Sequence, residues 1–470
     1  MTEIIDIPSI PPERQVAPFM RGLIGKGPLR YFEDLMHQEG AFAVFPVPGA
    51  GGRPSIMLND AVSIAHVSGK DYTIKDAPAE FLQLIMGRGI LFSDGETWRP
   101  QRWAATPFFQ PRAINHINIL NQMVAATQEM LDRWQPYADQ GEPIDLAQEF
   151  PRLTFDVLLR ALFHETGSER AAEMQAALGI ILEEANRRQW MMHKELAEEV
   201  YKQSPFAEAA QTLREAADDI ASRRRLEMTK DGFEHGKDLL SSLVRYYDSI
   251  GPEGQEILRH EVLTYLLAGH ETTAHSLAFA HVFLSQNPAL QQKMKAEVDG
   301  ALGMASIDMD SMKSLTYTRN VFQETLRVRP PISLVRRVAP ADDLIPLDDG
   351  RFISIPKDHY ILLAPWAVHR RPVYWENPEV FDPDRFNQTI QRGAYFPFTL
   401  GPRQCIGNRF ALLEGTVALA EVARRFELSV INPVNVGFHY AITLRPMMED
   451  DPKRPILATI KNRHDPRAAM

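Results

Sequence analysis

Between Pro252 and about Gln286 the chain carries its longest helical pattern, which Asn287-Pro288 stops. At about 1.5 Å per residue such a helix is roughly 50 Å long, enough to cross the whole molecule. Any fold for this chain has to be assembled around that rod. Its middle reads Leu266-Leu267-Ala268-Gly269-His270-Glu271-Thr272-Thr273. A glycine costs a helix interior about 1 kcal/mol relative to alanine, and the two small residues Ala268 and Gly269 leave a hollow. Ala268 and Thr272 are four apart, so the hollow and a hydroxyl share a face, and something must approach the backbone closely there. The run HETTAH is near the zinc-binding HExxH pattern, yet the position four residues after His270 is Ala274. His275 is turned about 100° further around the helix, which argues against zinc.

A second stretch, Phe398 to Gly407 (FTLGPRQCIG), holds Cys405, the only cysteine among 470 residues. A lone thiol makes no intrachain disulfide, paired redox motif or four-cysteine zinc site. It is a buried bystander, a nucleophile or a single-thiolate metal ligand. Gly401 and Pro402 bend the chain ahead of it, Gly407 follows, and a helix is expected from Asn408 to Glu427. The thiol then sits at a helix N-terminus, where free N–H groups and the positive dipole end favour a thiolate. Arg403 supplies a cation that a large anionic cofactor could use, and Phe398 an aromatic wall.

Hydrophobic residues at 44% and charged residues at 24% fit a globular protein, and the net charge of −10 argues against nucleic-acid binding. No run approaches the roughly 18 apolar residues of a membrane span. The acidic, proline-bearing start MTEIIDIPSIPPERQ is unlike a signal peptide, so a cytoplasmic protein is expected. A first helix is expected over Leu29 to His37, then strands over Ala41 to Phe45 and Ser55 to Leu58, joined by a glycine-rich hairpin turn. Residues 78–92 are apolar but irregular and read as a loop-rich cover over a pocket. After Ser93-Asp94-Gly95 a helix starts with Asp94 as its cap, placing Trp98 and Arg102 one turn apart, where both can donate to one carboxylate. Residues 115–225 read as successive helices. Glu324 and Arg327 stand at i and i+3 on a helix that Pro330-Pro331 ends, before strands over Phe352 to Ile355 and Tyr360 to Ala364. Tyr440 to Arg445 alternates like a strand, with Pro452 to Asn462 pairing back.

W-x-x-x-R at Trp98, A-G-x-E-T at Ala268, E-x-x-R at Glu324, P-x-R-F at Pro383 and F-x-x-G-x-R-x-C-x-G at Phe398 fall in one order along the chain. In that order they resemble the motifs of the cytochrome P-450 superfamily, in particular its soluble bacterial members. The resemblance implies a mainly α fold with small β-sheets, as one domain over residues 1–470 with a β-rich part from about 38–75, 332–365 and 428–462. The long helix would lie over haem b (iron protoporphyrin IX), with the cysteine loop beneath it. Cys405 would be the axial iron ligand, with Trp98, Arg102, Ala268, Gly269, Arg337, Phe398, Arg403 and Gly407 around the cofactor. Trp98, Arg102 and Arg337 would hold its propionates. Thr272 would hydrogen-bond dioxygen and Glu271 would help relay protons. Glu324, Arg327 and Arg385 would form a structural triad holding the cysteine loop in place. Leu84, Met86, Leu267, Ile332, Leu334 and Ile442 would face substrate, beneath a region that includes residues 180–193 and opens and closes over it.

The implied reaction inserts one oxygen atom from O2 into a fatty acid, terpenoid, steroid or similar lipophile. The protein would be a monomer without a membrane span, supplied by a separate ferredoxin or flavodoxin with its reductase. Only about 60 residues follow the cysteine loop, too few for a flavin reductase domain. Arg99, Arg403 and Arg409 are candidates for docking the partner. Two other readings stay open: a haem-thiolate isomerase, dehydratase or peroxygenase, and a non-catalytic haem-based gas sensor.

Overall fold

The computed structural model describes residues 3–7, 27–46, 54–70, 72, 77–110, 118–165, 170–188, 205–230, 238–303 and 305–463. Helices dominate. The longer ones are α1 (Pro28–Glu39), α2 (Ala61–Gly69), α3 (Ala77–Met86), α4 (Gly95–Ala105), α5 (Ile119–Gln140), α6 (Leu146–Phe163) and α7 (Ala171–Arg188), followed by α8 (Pro205–Met228), α9 (Leu239–Asp248), α10 (Pro252–Gln286), α11 (Pro288–Leu302), α12 (Thr316–Val328) and α13 (Asn408–Arg425). Among the described residues no helix is long and apolar enough to cross a membrane.

The long rod is α10, of 35 residues. Gly251, with φ 95°, and Pro252 open it, because the N–H that proline lacks is one that a first turn leaves unpaired anyway. Asn287 closes it by bonding back to the Leu284 carbonyl, and Pro288 starts α11. Apolar residues face outward from α10 in every direction, so α6, α8, α9, α12 and α13 can all pack against it.

The strands frame this helical core. β1 (Ile4–Asp6) runs parallel to β7 (Phe352–Ile355), which pairs antiparallel with β6 (Asp343–Pro346). A four-stranded sheet has the order β2 (Phe42–Pro46), β3 (Pro54–Leu58), β8 (Tyr360–Leu363), β5 (Val335–Val338). β12 (Leu457–Asn462) lies between β4 (Ile144–Asp145) and β9 (Phe426–Val430), while β10 (Val436–Tyr440) and β11 (Leu444–Met448) form a hairpin.

Several expectations change. Residues 77–86 form a helix rather than a loop-rich cover: Leu82, Ile85 and Met86 recur at i, i+3 and i+4 and are buried together, and the glycines that suggested irregularity, Gly87 and Gly89, lie just past the last turn. The alternating stretch Tyr440 to Arg445 is not one strand but the end of β10, the turn Ala441–Thr443 and the start of β11. Residues 457–462 pair with β9 and β4 instead of returning to that hairpin. α13 stops at Arg425, where the chain becomes β9. Of the stretch 180–193, residues 180–188 belong to α7 and the remainder lies outside the described residues, as does the glycine-rich joint at 47–53.

Candidate active site

The cysteine loop is shaped by its backbone first. Thr399 (φ 57°) and Gly401 (φ 71°) adopt left-handed conformations, and the Cys405 N–H donates to the Phe398 carbonyl at 2.9 Å, closing the loop on itself. Only glycine fits at 401, because a Cβ there would lie 1.8 Å from the Ser68 carbonyl oxygen of α2. Burial pushes the Cys405 thiol up, while the Gly407 N–H on the sulfur and the nearby Arg102 pull it down. Yet Cys405 itself is exposed. The two facts agree if the sulfur faces a recess within the fold rather than the outer surface. A Cβ added at Gly407 would meet only the cysteine Sγ, 3.9 Å away, so the recess extends over that glycine.

α4 lies against this loop. Arg102 Nη1 donates to the Gln404 carbonyl at 2.9 Å. Burial lowers the Arg102 pKa, opposed by Cys405 and by Tyr265 of α10, so this guanidinium stands where loop and long helix meet. Trp98, one turn earlier, is buried under Arg403, whose guanidinium lies 4.2 Å from its ring centroid. Arg403 also pairs with Asp94 and donates to the Ser93 carbonyl. Asp94 therefore makes no side-chain cap on α4, contrary to expectation. Arg403, its side chain 4% exposed, ties the loop to α4 and is withdrawn from any docking surface.

Arg337 on β5 is buried and donates from Nη1 to the Arg336 carbonyl at 2.9 Å. Burial lowers its pKa to about 10, and no carboxylate among the described residues offsets that. A desolvated cation without a counter-charge is costly, and an acidic group on a bound cofactor would offset that cost. Cys405 and Arg337, with Arg102 and Trp98, thus fit an anionic prosthetic group whose metal takes one protein thiolate. Among the described residues no cluster of three or more His, Cys, Asp or Glu could hold a metal by itself.

Within the buried middle of α10, Ala268 is exposed and Thr272 and His275 partly so, one stripe at i, i+4 and i+7. Thr272 Oγ1 donates to the Ala268 carbonyl at 3.1 Å. Gly269 belongs to a different face. A Cβ there would lie 2.1 Å from Leu158 Cδ1, so the close neighbour that calls for glycine is α6. The physical reason is the turn of about 100° between successive residues. Glu271 is buried, and both its oxygens are taken by the β10–β11 hairpin: Oε2 accepts from Thr443 at 2.7 Å and Oε1 from Arg445 at 2.9 Å.

Next along α10, Thr273 hydrogen-bonds Glu414 of α13, a buried acid that burial pushes well above the usual carboxylate range. Below the unfolded pKa both states hold the proton; above it only the folded state does, so Glu414 lowers stability as pH rises. Glu414→Gln is expected to stabilise the protein by about 1.4 kcal/mol for each pH unit between the two pKa values. Urea unfolding at pH 5 and pH 8 reads this as a gain present mainly at the higher pH.

The expected triad is assembled. Arg327 and Glu324, both side chains 0% exposed, make two bonds of 2.7 and 2.8 Å. Arg385 Nε stands 3.4 Å from Glu324 Oε1, an ion contact without hydrogen-bond geometry. Its link to the cysteine loop is a residue that the sequence did not single out. The His369 carbonyl accepts from Arg327 at 2.8 Å, the His369 Nδ1 faces the Arg327 carbonyl at 3.3 Å, and Nε2 accepts from the Phe396 N–H at 3.0 Å. Burial keeps this imidazole neutral, so Nδ1 carries the hydrogen. Phe396 is two residues before Phe398, where the loop begins.

Of the residues expected to face substrate, Leu267 is buried on α10, while Ile332, Leu334 and Ile442 are partly buried against the apolar core. Leu84 and Met86 do not join them. Leu84 is 59% exposed on the outer side of α3, and Met86 is wholly within the core.

The family model for cytochrome P450 matches residues 24–441. The chain belongs to the cytochrome P450 family. This P450 is 31% identical to cytochrome P450 4A12B of Mus musculus, over 74% of its own length and 71% of the relative's. It is 27% identical to carotene epsilon-monooxygenase of Arabidopsis thaliana, over 84% and 76% of the two chains. Its fold superposes on the heme domain of cytochrome P450DA with a TM-score of 0.82 at 25% identity, covering 98% of each. This P450 is accordingly a haem enzyme of the monooxygenase class, mainly helical with small sheets.

Proposed function

We propose that this P450 inserts one oxygen atom of O2 into an apolar molecule, hydroxylating a fatty acid, terpenoid, steroid or similar lipophile, with haem b ligated by Cys405. The observation that carries this reading is the uncovered stripe of Ala268 and Thr272 in the buried middle of α10. It presents a hydroxyl beside Ala268, whose side chain is a single methyl group and leaves room for a small molecule. A thiolate-ligated haem supplies the electron density that favours O–O cleavage.

The chain's own residues do the rest. The Gly407 N–H and Arg102 oppose the burial that raises the Cys405 thiol, and Arg337, Arg102 and Trp98 would hold the propionates. Phe398 and Gly407 shape the recess. The Thr272 hydroxyl, now donating to the Ala268 carbonyl, can rotate to donate to dioxygen while accepting a proton from behind. Leu267, Ile332, Leu334 and Ile442 supply apolar walls that hold a lipophile and exclude water. Electrons come from a separate ferredoxin or flavodoxin with its reductase, docking on the side of the exposed Arg99 and Arg409. The same reading makes the protein a cytoplasmic monomer, one haem-thiolate domain over residues 1–470.

The test is Thr272→Ala. Haem content and substrate affinity are expected to stay near those of the parent, while product formed per electron pair drops by about 100-fold and peroxide takes its place. Unchanged coupling in the variant would remove Thr272 from proton delivery. Labelled dioxygen absent from the product of the parent enzyme would sink the monooxygenase reading itself.

A further inference from the structure

Glu271 sits in the motif that faces the recess, yet its carboxylate is committed to another element. Thr443 and Arg445, two residues apart on the β10–β11 hairpin, engage one oxygen each. The hairpin is itself anchored twice. The Ile442 N–H donates to Asn186 Oδ1 of α7, and the Leu444 N–H donates to the Pro331 carbonyl at 2.8 Å. An arginine on a segment held in this way is a fixed charge beside the acid.

The groups around Glu271 sort by the pH at which they are charged. Burial pushes the carboxyl up, but His275, Arg445, Thr443 and His270 together outweigh it and hold the pKa below the usual value. Burial in turn pushes both His270 and His275 down to about 4. The His270 ring stands edge-on to Phe155 of α6, and neither of its ring nitrogens has a partner among the described residues. His439, directly across the hairpin from Arg445, is also pushed down, by burial and by that arginine. Near neutral pH the three imidazoles are therefore uncharged, and Arg445 is the cation that acts on Glu271, with the Thr443 hydroxyl as second partner.

We propose that Arg445 is a positioning residue of the reaction: by engaging Glu271 from β11 it decides which way that acid points, and so whether a proton can pass from it to the Thr272 side of α10. This rests on the monooxygenase reading of the site. With Arg445 in place Glu271 is a carboxylate turned to the hairpin. Once released from Arg445, the buried acid takes up a proton at a higher pH than the paired one and has it to hand on more readily.

The experiment is an infrared pH titration of the haem-loaded protein, with Glu271→Gln subtracted to isolate the Glu271 carboxyl, run on the parent, Arg445→Gln and Arg445→Lys. In Arg445→Gln the midpoint for protonating Glu271 is expected to rise by about 1–3 pH units, while Arg445→Lys stays close to the parent. In parallel, the pH profile of product per electron pair should gain an inflection in Arg445→Gln that is missing when Glu271→Gln is added. If Arg445 merely braces the hairpin, stability or substrate affinity falls while the Glu271 midpoint and the profile stay where they were, and the proposal is overturned. Should Arg445→Gln fail to fold, Thr443→Val serves, with a smaller rise expected in the same direction and no rise counting against the proposal. Because the titration needs no turnover, it gives its answer even if labelled oxygen shows the monooxygenase reading to be wrong.

Discussion

Cys405→Ser is expected to abolish monooxygenase turnover and to erase the thiolate signature from the optical spectrum of the reduced carbon-monoxide complex. The chain offers no second thiol, since Cys405 is its only cysteine. A serine hydroxyl, held by the same Gly407 N–H, is a far weaker acid than a thiol and does not become anionic near neutral pH. The loop geometry should survive, because it depends on the Phe398 carbonyl, the left-handed Thr399 and Gly401, and the fit of Gly401 against Ser68. Haem content should therefore fall less than activity, the remaining haem being held by Arg337, Arg102 and the apolar walls. A spectrum in Cys405→Ser identical to that of the parent would end the assignment of this sulfur as ligand.

Arg327→Ala should cost about 3–5 kcal/mol, the largest loss of stability expected from one substitution. Burial raises the Glu324 carboxyl, and Arg327 is the chief group opposing that, through two bonds made with no solvent contact. Removing the guanidinium leaves the buried carboxyl with only the longer contact to Arg385 and the Asp382 N–H, and it also strips donors from the His369 and Val380 carbonyls. Lysine should not rescue it, because a single ammonium cannot reproduce the two-point contact. Replacing Glu324 and Arg327 together by apolar residues of similar volume should cost less than either single change, since no buried charge is then left alone. Urea unfolding of the parent and these variants measures this, and a loss below about 1 kcal/mol in Arg327→Ala would show that the pair does not hold the fold.

The elements that could be read from the chain alone are those whose signal is local. The length of α10 follows from Pro252 at one end and Asn287-Pro288 at the other. The pairing of Glu324 with Arg327 follows from a spacing of three on one helix face. The stripe of Ala268 and Thr272 follows from a spacing of four. Where reading failed, the local pattern was ambiguous or its meaning lay elsewhere. Residues 77–86 look irregular only when Gly87 and Gly89, which lie beyond the helix, are counted with them. The hairpin turn Ala441–Thr443 has neither glycine nor proline to mark it. His369 and Glu414 carry no motif, and their roles exist only because α12, α10 and the cysteine loop converge on them.

By itself, then, the order of residues determined the rod, the single sulfur, its loop and the family, because helix periodicity and turn chemistry act over a few positions. The tertiary structure alone decided that Gly269 yields to Leu158, that Arg403 belongs to Asp94, and that Glu271 answers to Thr443 and Arg445, more than 170 residues away. The reason is that a side chain's direction and its charge state depend on which distant segment removes its water and which supplies its partner.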